Sequence, residues 1–193
     1  MIIGITGGTG CGKTTLLEIL QEHGALILDC DAIYHRLLRE DGQLLAAIED
    51  RFPGTVEEGV LQRKKLGAIV FGDPAALADL NKITHGAVKK EVLRLLEEKP
   101  ALTAIDAIGL FESGLNELCK LTVAVTAPTE ARVQRLMARD GISEEYALSR
   151  IQAQPSGEEF AARCDHVLEN NGTKADFQQK CLAFLTQIGI MKI

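Results

Sequence analysis

Residues 1–15, MIIGITGGTGCGKTT, decide the fold. Met1 to Thr6 is an apolar, β-branched run that reads as a buried strand. Gly7 to Gly12 follow, and Lys13, Thr14, Thr15, Leu16, Leu17 and Glu18 open a helical pattern. The spacing Gly7-x-x-x-x-Gly12-Lys13-Thr14, set between a strand and a helix, is that of a phosphate-binding P-loop. Glycines let successive backbone N–H groups turn inward around an anion, and the helix that follows adds its positive end. The residues expected to contact phosphates are Gly8, Thr9, Gly10, Cys11, Gly12, Lys13, Thr14 and Thr15. Lys13 is expected to reach the β- and γ-phosphates and the Thr14 hydroxyl to hold Mg²⁺. The alternative, a glycine-rich turn that binds nothing, is opposed by the match of both the spacing and its flanks.

At 193 residues the chain fits one domain with room for an inserted lobe, and at 46% hydrophobic it can bury a sizeable core. Aromatic residues make up 4% and Trp is absent, which leaves little for base-stacking platforms. A net charge of −6 argues against a dedicated nucleic-acid binder but not against a nucleotide site, where a few local donors suffice. The five cysteines (11, 30, 119, 164 and 181) show neither a C-x-x-C pair nor zinc spacing, a pattern expected of reduced thiols in the cytoplasm. No charged leader precedes the first strand and no apolar run approaches membrane-spanning length, so neither secretion nor a membrane anchor is expected.

Outward from the loop, Gly24 ends the first helix and Ala25 to Leu28 is a second strand, running into Asp29-Cys30-Asp31 and a helix from Ala32. A helical crossover makes the two strands parallel, so both acids are expected at the ligand-binding edge of the sheet. Asp31 also suits the role of helix N-cap, and both readings stay open. Residues 41–100 interrupt the alternation without a clear strand. Leu44, Leu45 and Ile48, then Arg63 to Phe71, Ala75 to Ile83 and Val88 to Leu96, read as helices of an insertion. A third strand, Ala101 to Asp106, ends in an acid, a weak sign by itself. Leu121 to Thr126 is a fourth, and Asp165 to Leu168 a fifth. Between them Arg132, Arg135 and Arg139 share a helix face, either as a solvated stripe or as an anion-facing lid over residues 129–157.

Taken in order, these stretches resemble the dephospho-CoA kinase family. The family's T-G-G-x-G-x-G-K-[ST] is Thr6 to Thr14, its D-x-D is Asp29-Cys30-Asp31, and its G-x-L-x-R-x-x-L runs from Gly59 through Arg63 to Leu66, leading to Val70-Phe71. L-N-x-I-x-H is Leu80 to His85, L-F-E is Leu110-Phe111-Glu112, and R-L-x-x-R-D is Arg135 to Asp140. R-I-x-x-Q is Arg150 to Gln154, and N-x-G is Asn170-Asn171-Gly172. The family's proline after the histidine is Gly86 here, which predicts a loosened loop after His85. An arginine common four residues after the second Asp is His35, with Arg36 one place on.

The resemblance implies an α/β P-loop kinase fold: a five-stranded parallel sheet flanked by helices, with 41–100 as a helical acceptor-binding lobe within a single kinase unit spanning 1–193. It implies transfer of a phosphoryl group from ATP, with Mg²⁺, to the ribose 3′-hydroxyl of dephospho-CoA, by a monomer or weak homo-oligomer. Asp31 matches the family's proposed base. Lys13 and Arg139 fall with it among the catalytic residues, and Arg135 at the nucleotide. Arg63, His85 and Glu112, with Asp31, fall at acceptor positions. The alternatives are another small-molecule P-loop kinase acting on a nucleoside or sugar acid, or a nucleotide-dependent regulatory module. A GTPase switch requires N-K-x-D after a strand; Asn81-Lys82-Ile83-Thr84 lacks the Asp and falls in a helical pattern.

Overall fold

The N-terminal apolar run forms β1 (Ile2–Thr6), in which Ile3 and Ile5 are fully buried. The structure, a computed structural model, describes residues 1–191. After β1 the chain passes through α1 (Lys13–Glu22), β2 (Leu26–Asp29), α2 (Cys30–Glu40), α3 (Gly42–Arg51), the two-residue strands β3 (Val56–Glu57) and β4 (Val60–Leu61), α4 (Arg63–Val70) and α5 (Pro74–Leu96). It continues through β5 (Thr103–Asp106), a 3₁₀ turn at Leu115–Leu118, β6 (Leu121–Thr126), α6 (Thr129–Asp140), α7 (Glu144–Gln152), α8 (Gly157–Arg163), β7 (His166–Glu169) and α9 (Lys174–Gln187). The last two residues of the 1–193 span lie outside the described residues.

The expected five-stranded parallel sheet is present, in the order β2-β5-β1-β6-β7. β1 is central and, like β5 and β6 on either side of it, is buried on both faces, as parallel strands covered by helices must be. Its register sets Ile5 opposite Asp106 and Thr6 opposite Ala124, so the ends of β1, β5 and β6 lie at one edge of the sheet. Two compact units divide the chain: Met1–Leu28, Pro100–Leu110 and the segment from Leu115 onward form one, and Asp29–Lys99 with Phe111–Gly114 form the other.

In the first unit Leu16 and Leu20 of α1 and Phe177 and Leu185 of α9 cover the sheet beside Ile3, Ile5 and Val123. The α6–α7 hairpin has a small core of its own, Val133, Leu136, Ala147 and Ile151. In the second unit α2, α3 and α4 each pack on α5. This unit is not wholly helical, because β3 and β4 make an antiparallel hairpin. Glu49 holds its approach, accepting from the N–H groups of Gly54 at 2.6 Å and Val56 at 2.7 Å. Among the described residues no helix is long and apolar enough to cross a membrane.

α5 corrects the reading of a loop after His85. It is one helix of 23 residues, capped by Asp73, whose carboxylate accepts from Ala75 and Ala76, and with Pro74 in its first turn. Gly86 lies inside it, so glycine in place of the family's proline acts on a helix rather than on a loop. Buried Thr84, Val88 and Val92 keep the helical spacing across the glycine, and this packing outweighs the local weakness. A Cβ on Gly86 meets no atom within 4 Å. Gly86→Ala is therefore expected to stabilise the protein by roughly 0.5–1 kcal/mol, measured as a rise in the urea midpoint.

α2 and α5 are also joined by charge. Arg36 Nη2 donates to Glu91 Oε1 at 2.6 Å, and Arg94 forks onto the same carboxylate with two bonds of 2.8 Å. Arg94 first, and then Arg36, hold Glu91 down to about 2, against 4.5 for an ordinary glutamate. A carboxyl depressed by folding stabilises fully above its unfolded value and loses that contribution as pH falls toward the folded one. Glu91→Gln should thus cost about 1–2 kcal/mol at pH 7, the lower range for charge-assisted bonds because both arginines meet solvent. The gap from wild type should narrow as pH falls from about 4.5 toward 2. A gap in urea stability that stays constant with pH would contradict this role.

Candidate functional site

The loop after β1 owes its shape to side chains far away in sequence. Three successive carbonyls, those of Thr9, Gly10 and Cys11, are drawn to one side. Arg132 Nε donates to Thr9 O at 2.9 Å, Arg135 Nη1 to Gly10 O at 3.1 Å, and Asn170 Nδ2 to Cys11 O at 2.9 Å. Because each peptide is planar and trans, the N–H groups that follow those carbonyls turn to the opposite side. Cys11 N–H bonds Gly8 O at 3.3 Å, while those of Gly10 and Gly12 join the first turn of α1 on the anion-facing side.

The loop's glycines leave room for the groups around them: at Gly7, with φ +136°, a Cβ would meet Val125 O at 2.2 Å. Gly12 caps α1 at φ +98°, and a Cβ there would meet Asn170 Nδ2 at 2.2 Å; at Gly8 a Cβ would meet Arg132 Nη2 at 2.3 Å. Lys13 opens α1 and folds back, its Nζ donating to Gly7 O at 2.9 Å and standing 3.9 Å from Asp106 Oδ1. Asp106 was a weak sign in sequence, and the register that brings β5 beside β1 gives it a place at the loop.

The arginine stripe divides. Arg132 is 4% exposed, and its Nη2 also donates to Gln154 Oε1 at 3.3 Å. That same Gln154 oxygen accepts from Thr9 N–H at 2.8 Å, so both polar backbone groups of Thr9 are held from the α6–α7 hairpin. Arg135 also donates to Asn170 Oδ1 at 3.1 Å. Arg139 faces elsewhere: it forks onto Asp140 at 2.6 and 2.9 Å, its side chain 59% exposed. Arg150 donates to the same carboxylate at 2.7 Å, and Arg139 first, then Arg150, hold Asp140 near 2. A helical spacing of arginines marked the hairpin. That two of them, with Asn170, grip loop carbonyls while Gln154 accepts from the Thr9 N–H is visible only in three dimensions.

The residues expected at the acceptor, Asp31, Arg63, His85 and Glu112, all lie in the second unit. Asp29 caps α2, its Oδ1 accepting from Ala32 N–H at 2.9 Å. This corrects the capping alternative for Asp31, which lies exposed in the first turn of the helix and caps nothing. Tyr34 and His35 follow Asp31 at three and four residues, on the same helix face. Arg63, at the first position of α4, meets His35, its Nη2 lying 3.3 Å from Nδ1. Burial raises the Tyr34 phenol above its ordinary value and the Arg63 charge partly offsets this. Arg36 is committed to Glu91, so His35 rather than Arg36 stands beside Arg63. His85 is half-buried on α5, one turn before Lys89. Lys89 Nζ donates to Gly114 O at 3.0 Å, which ties the segment carrying Glu112 to that helix.

The double hold on Thr9 yields a prediction. Gln154→Ala removes the partner of the Thr9 N–H and one partner of Arg132, and should weaken ATP binding about 3- to 10-fold, a single neutral hydrogen bond's worth. Thermal stability should fall little. Isothermal titration with a non-hydrolysable ATP analogue measures it, and unchanged affinity would show that the loop keeps its form without this contact.

The sequence and the fold both have known relatives. The sequence model of the dephospho-CoA kinase family matches residues 1–176. The dephospho-CoA kinase of Dehalococcoides mccartyi is 38% identical over 192 residues, covering 96% of either chain. The crystal structure of TT1252 from Thermus thermophilus superposes with a TM-score of 0.84 at 35% identity, over 98% of this chain and 97% of that one. Dephospho-CoA kinase from Campylobacter jejuni gives 0.66 at 30% identity, over 97% and 96%. Through the family match along most of its length, and through relatives that share both its sequence and its sheet, the chain belongs to the dephospho-CoA kinase family.

Proposed function

We propose a division of labour for the phosphoryl transfer that family membership assigns to the chain, from ATP to the ribose 3′-hydroxyl of dephospho-CoA, the last step of coenzyme A synthesis. The observation that carries it is the loop whose carbonyls at Thr9, Gly10 and Cys11 are held away from its amides. Amides so fixed, with Lys13 beside them, take the ATP phosphates without reorganising during the reaction. Residues 8–15 serve as that cradle, and Arg135 supports it while bordering the nucleotide.

Thr14, exposed in the first turn of α1, and Asp106, close to Lys13, offer a hydroxyl and a carboxylate oxygen. This hard-oxygen donor set suits Mg²⁺ held partly by phosphates. Those two residues would hold the ion, which when bound neutralises charge on the β- and γ-phosphate oxygens.

Asp31 is the base. It accepts the 3′-hydroxyl proton as that oxygen bonds the γ-phosphorus and the bond from the γ-phosphorus to the β-phosphate oxygen breaks, ADP leaving with the electron pair. Lys13 stabilises the charge on the transferring oxygens, and Arg139, the exposed arginine of the hairpin, joins it there on closure of residues 129–157. Arg63, placed beside His35, supplies positive charge to the phosphates of the acceptor, and His85 and Glu112 complete its site in the helical lobe. The acceptor is a small molecule; neither nucleic acid nor membrane has a part, and the enzyme works as a monomer or weak homo-oligomer. Five free cysteines fit the reducing cytoplasm.

Release of ADP in the presence of dephospho-CoA, adenosine, AMP and gluconate tests the acceptor. Dephospho-CoA should be preferred by a wide margin, and preference for a nucleoside or for gluconate would leave only the P-loop kinase reading. Asp31→Asn tests the base. Because Asp29 does the capping, the thermal midpoint should stay put while kcat falls roughly a hundredfold or more. Full turnover in that variant would remove Asp31 from the chemistry.

A further inference from the structure

α4 presents different chemistry along one face. Arg63, Gly67 and Phe71 follow at intervals of four residues, so they form a single track that turns by about 40° per step. Along the axis Arg63 and Phe71 are about 12 Å apart. At the first end Arg63 stands beside His35. In the middle, Gly67 has no side chain and leaves room for its neighbour on the track. At the far end Phe71 is 89% exposed, the most exposed large hydrophobic residue described.

The phenyl ring is turned back along the track. A Cβ on Gly67 would meet ring atoms of Phe71 at 3.0 and 3.4 Å, so the ring lies over the glycine, on the side toward Arg63, as helical side chains lean. Packing does not call for an aromatic there, because the buried side of α4 is made by Leu66 and Val70. A cation and an exposed aromatic ring seated over a glycine thus succeed one another on one helix face.

We propose that Gly67 and Phe71 form the subsite for the pantetheine arm of the acceptor, the neutral chain of methyl, methylene and amide groups that continues from its diphosphate. The inference rests on the reading of Arg63 as the contact for that diphosphate. With the charged group at Arg63, the arm crosses Gly67 and lays its apolar groups on the Phe71 ring, and an extended arm is longer than the distance it has to cover. The continuity of this track with a cationic end selects the acceptor's own arm over a second protein molecule.

The test is steady-state transfer of labelled phosphate to two acceptors: dephospho-CoA, and the methyl ester of ADP, which keeps nucleoside and diphosphate and lacks the arm. Phe71→Ala should raise KM for dephospho-CoA about tenfold, the scale of one truncated aromatic contact, with kcat within about twofold. KM for ATP and kcat/KM for the methyl ester should not move, and Phe71→Trp should restore KM for dephospho-CoA. An unchanged KM for dephospho-CoA, or an equal loss for both acceptors, overturns the subsite. A fall in oligomer mass on Phe71→Ala by light scattering, with unchanged KM, overturns it in favour of a contact between copies. If wild-type protein phosphorylates another acceptor in preference to dephospho-CoA, the functional reading itself fails, a result separate from those of the variants.

Discussion

Three carbonyls turned to one side of a six-residue loop are the constraint on which the nucleotide end of this protein depends. A phosphate cradle needs several amides aimed at one point, and such amides repel one another unless the opposite ends of their peptides are satisfied. Here Arg132, Arg135 and Asn170 satisfy them. The glycines permit the arrangement by keeping clear of the very groups that impose it. Gly8 and Gly12 have no room for a Cβ because Arg132 and Asn170 occupy that space. Glycine content and cationic support are thus two halves of one device.

The second unit solves a different problem, that of an acid left available in a helix that also needs a cap. β2 runs directly into α2, so the choice between Asp29 and Asp31 as cap is a matter of where the first helical turn begins. The helix begins at Cys30, and Asp29 takes the capping bond. Asp31 is left with its carboxylate outside the helix's own hydrogen bonding, one turn from Tyr34 and His35. Arg36, one residue further, faces Glu91 and serves the α2–α5 contact. A single-residue rotation around α2 therefore separates the exposed Asp31 face from the face that holds α5.

Much of this was legible in the chain. The P-loop could be read because its requirements are local: glycines, lysine and threonine at fixed spacing between a strand and a helix. The strands were legible as apolar runs, and the late arginines marked a hairpin. What sequence left open depended on packing or on one-residue choices. Of the D-x-D pair only Asp31 read as a cap, whereas the helix begins one residue earlier and Asp29 takes the capping bond. Gly86 looked like a break, yet the buried positions on either side keep α5 in one piece. β3 and β4, two residues each, are too short to show a period. Gln154 and Asn170 reach the loop across 145 and 159 residues of chain, and no local pattern announces such contacts.

The attachment of the α6–α7 hairpin has a mechanical consequence. Arg132 near the start of α6 and Gln154 just beyond α7 both grip Thr9, while Val133, Leu136, Ala147 and Ile151 bind the two helices into one stiff piece. A rigid lever clamped at its root bends the clamp when its tip moves. The turn at Asp140–Gly141 is that tip, so any force applied there is delivered to the peptide planes on either side of Thr9. A displacement of the hairpin and a change in the shape of the loop are then one movement with two ends.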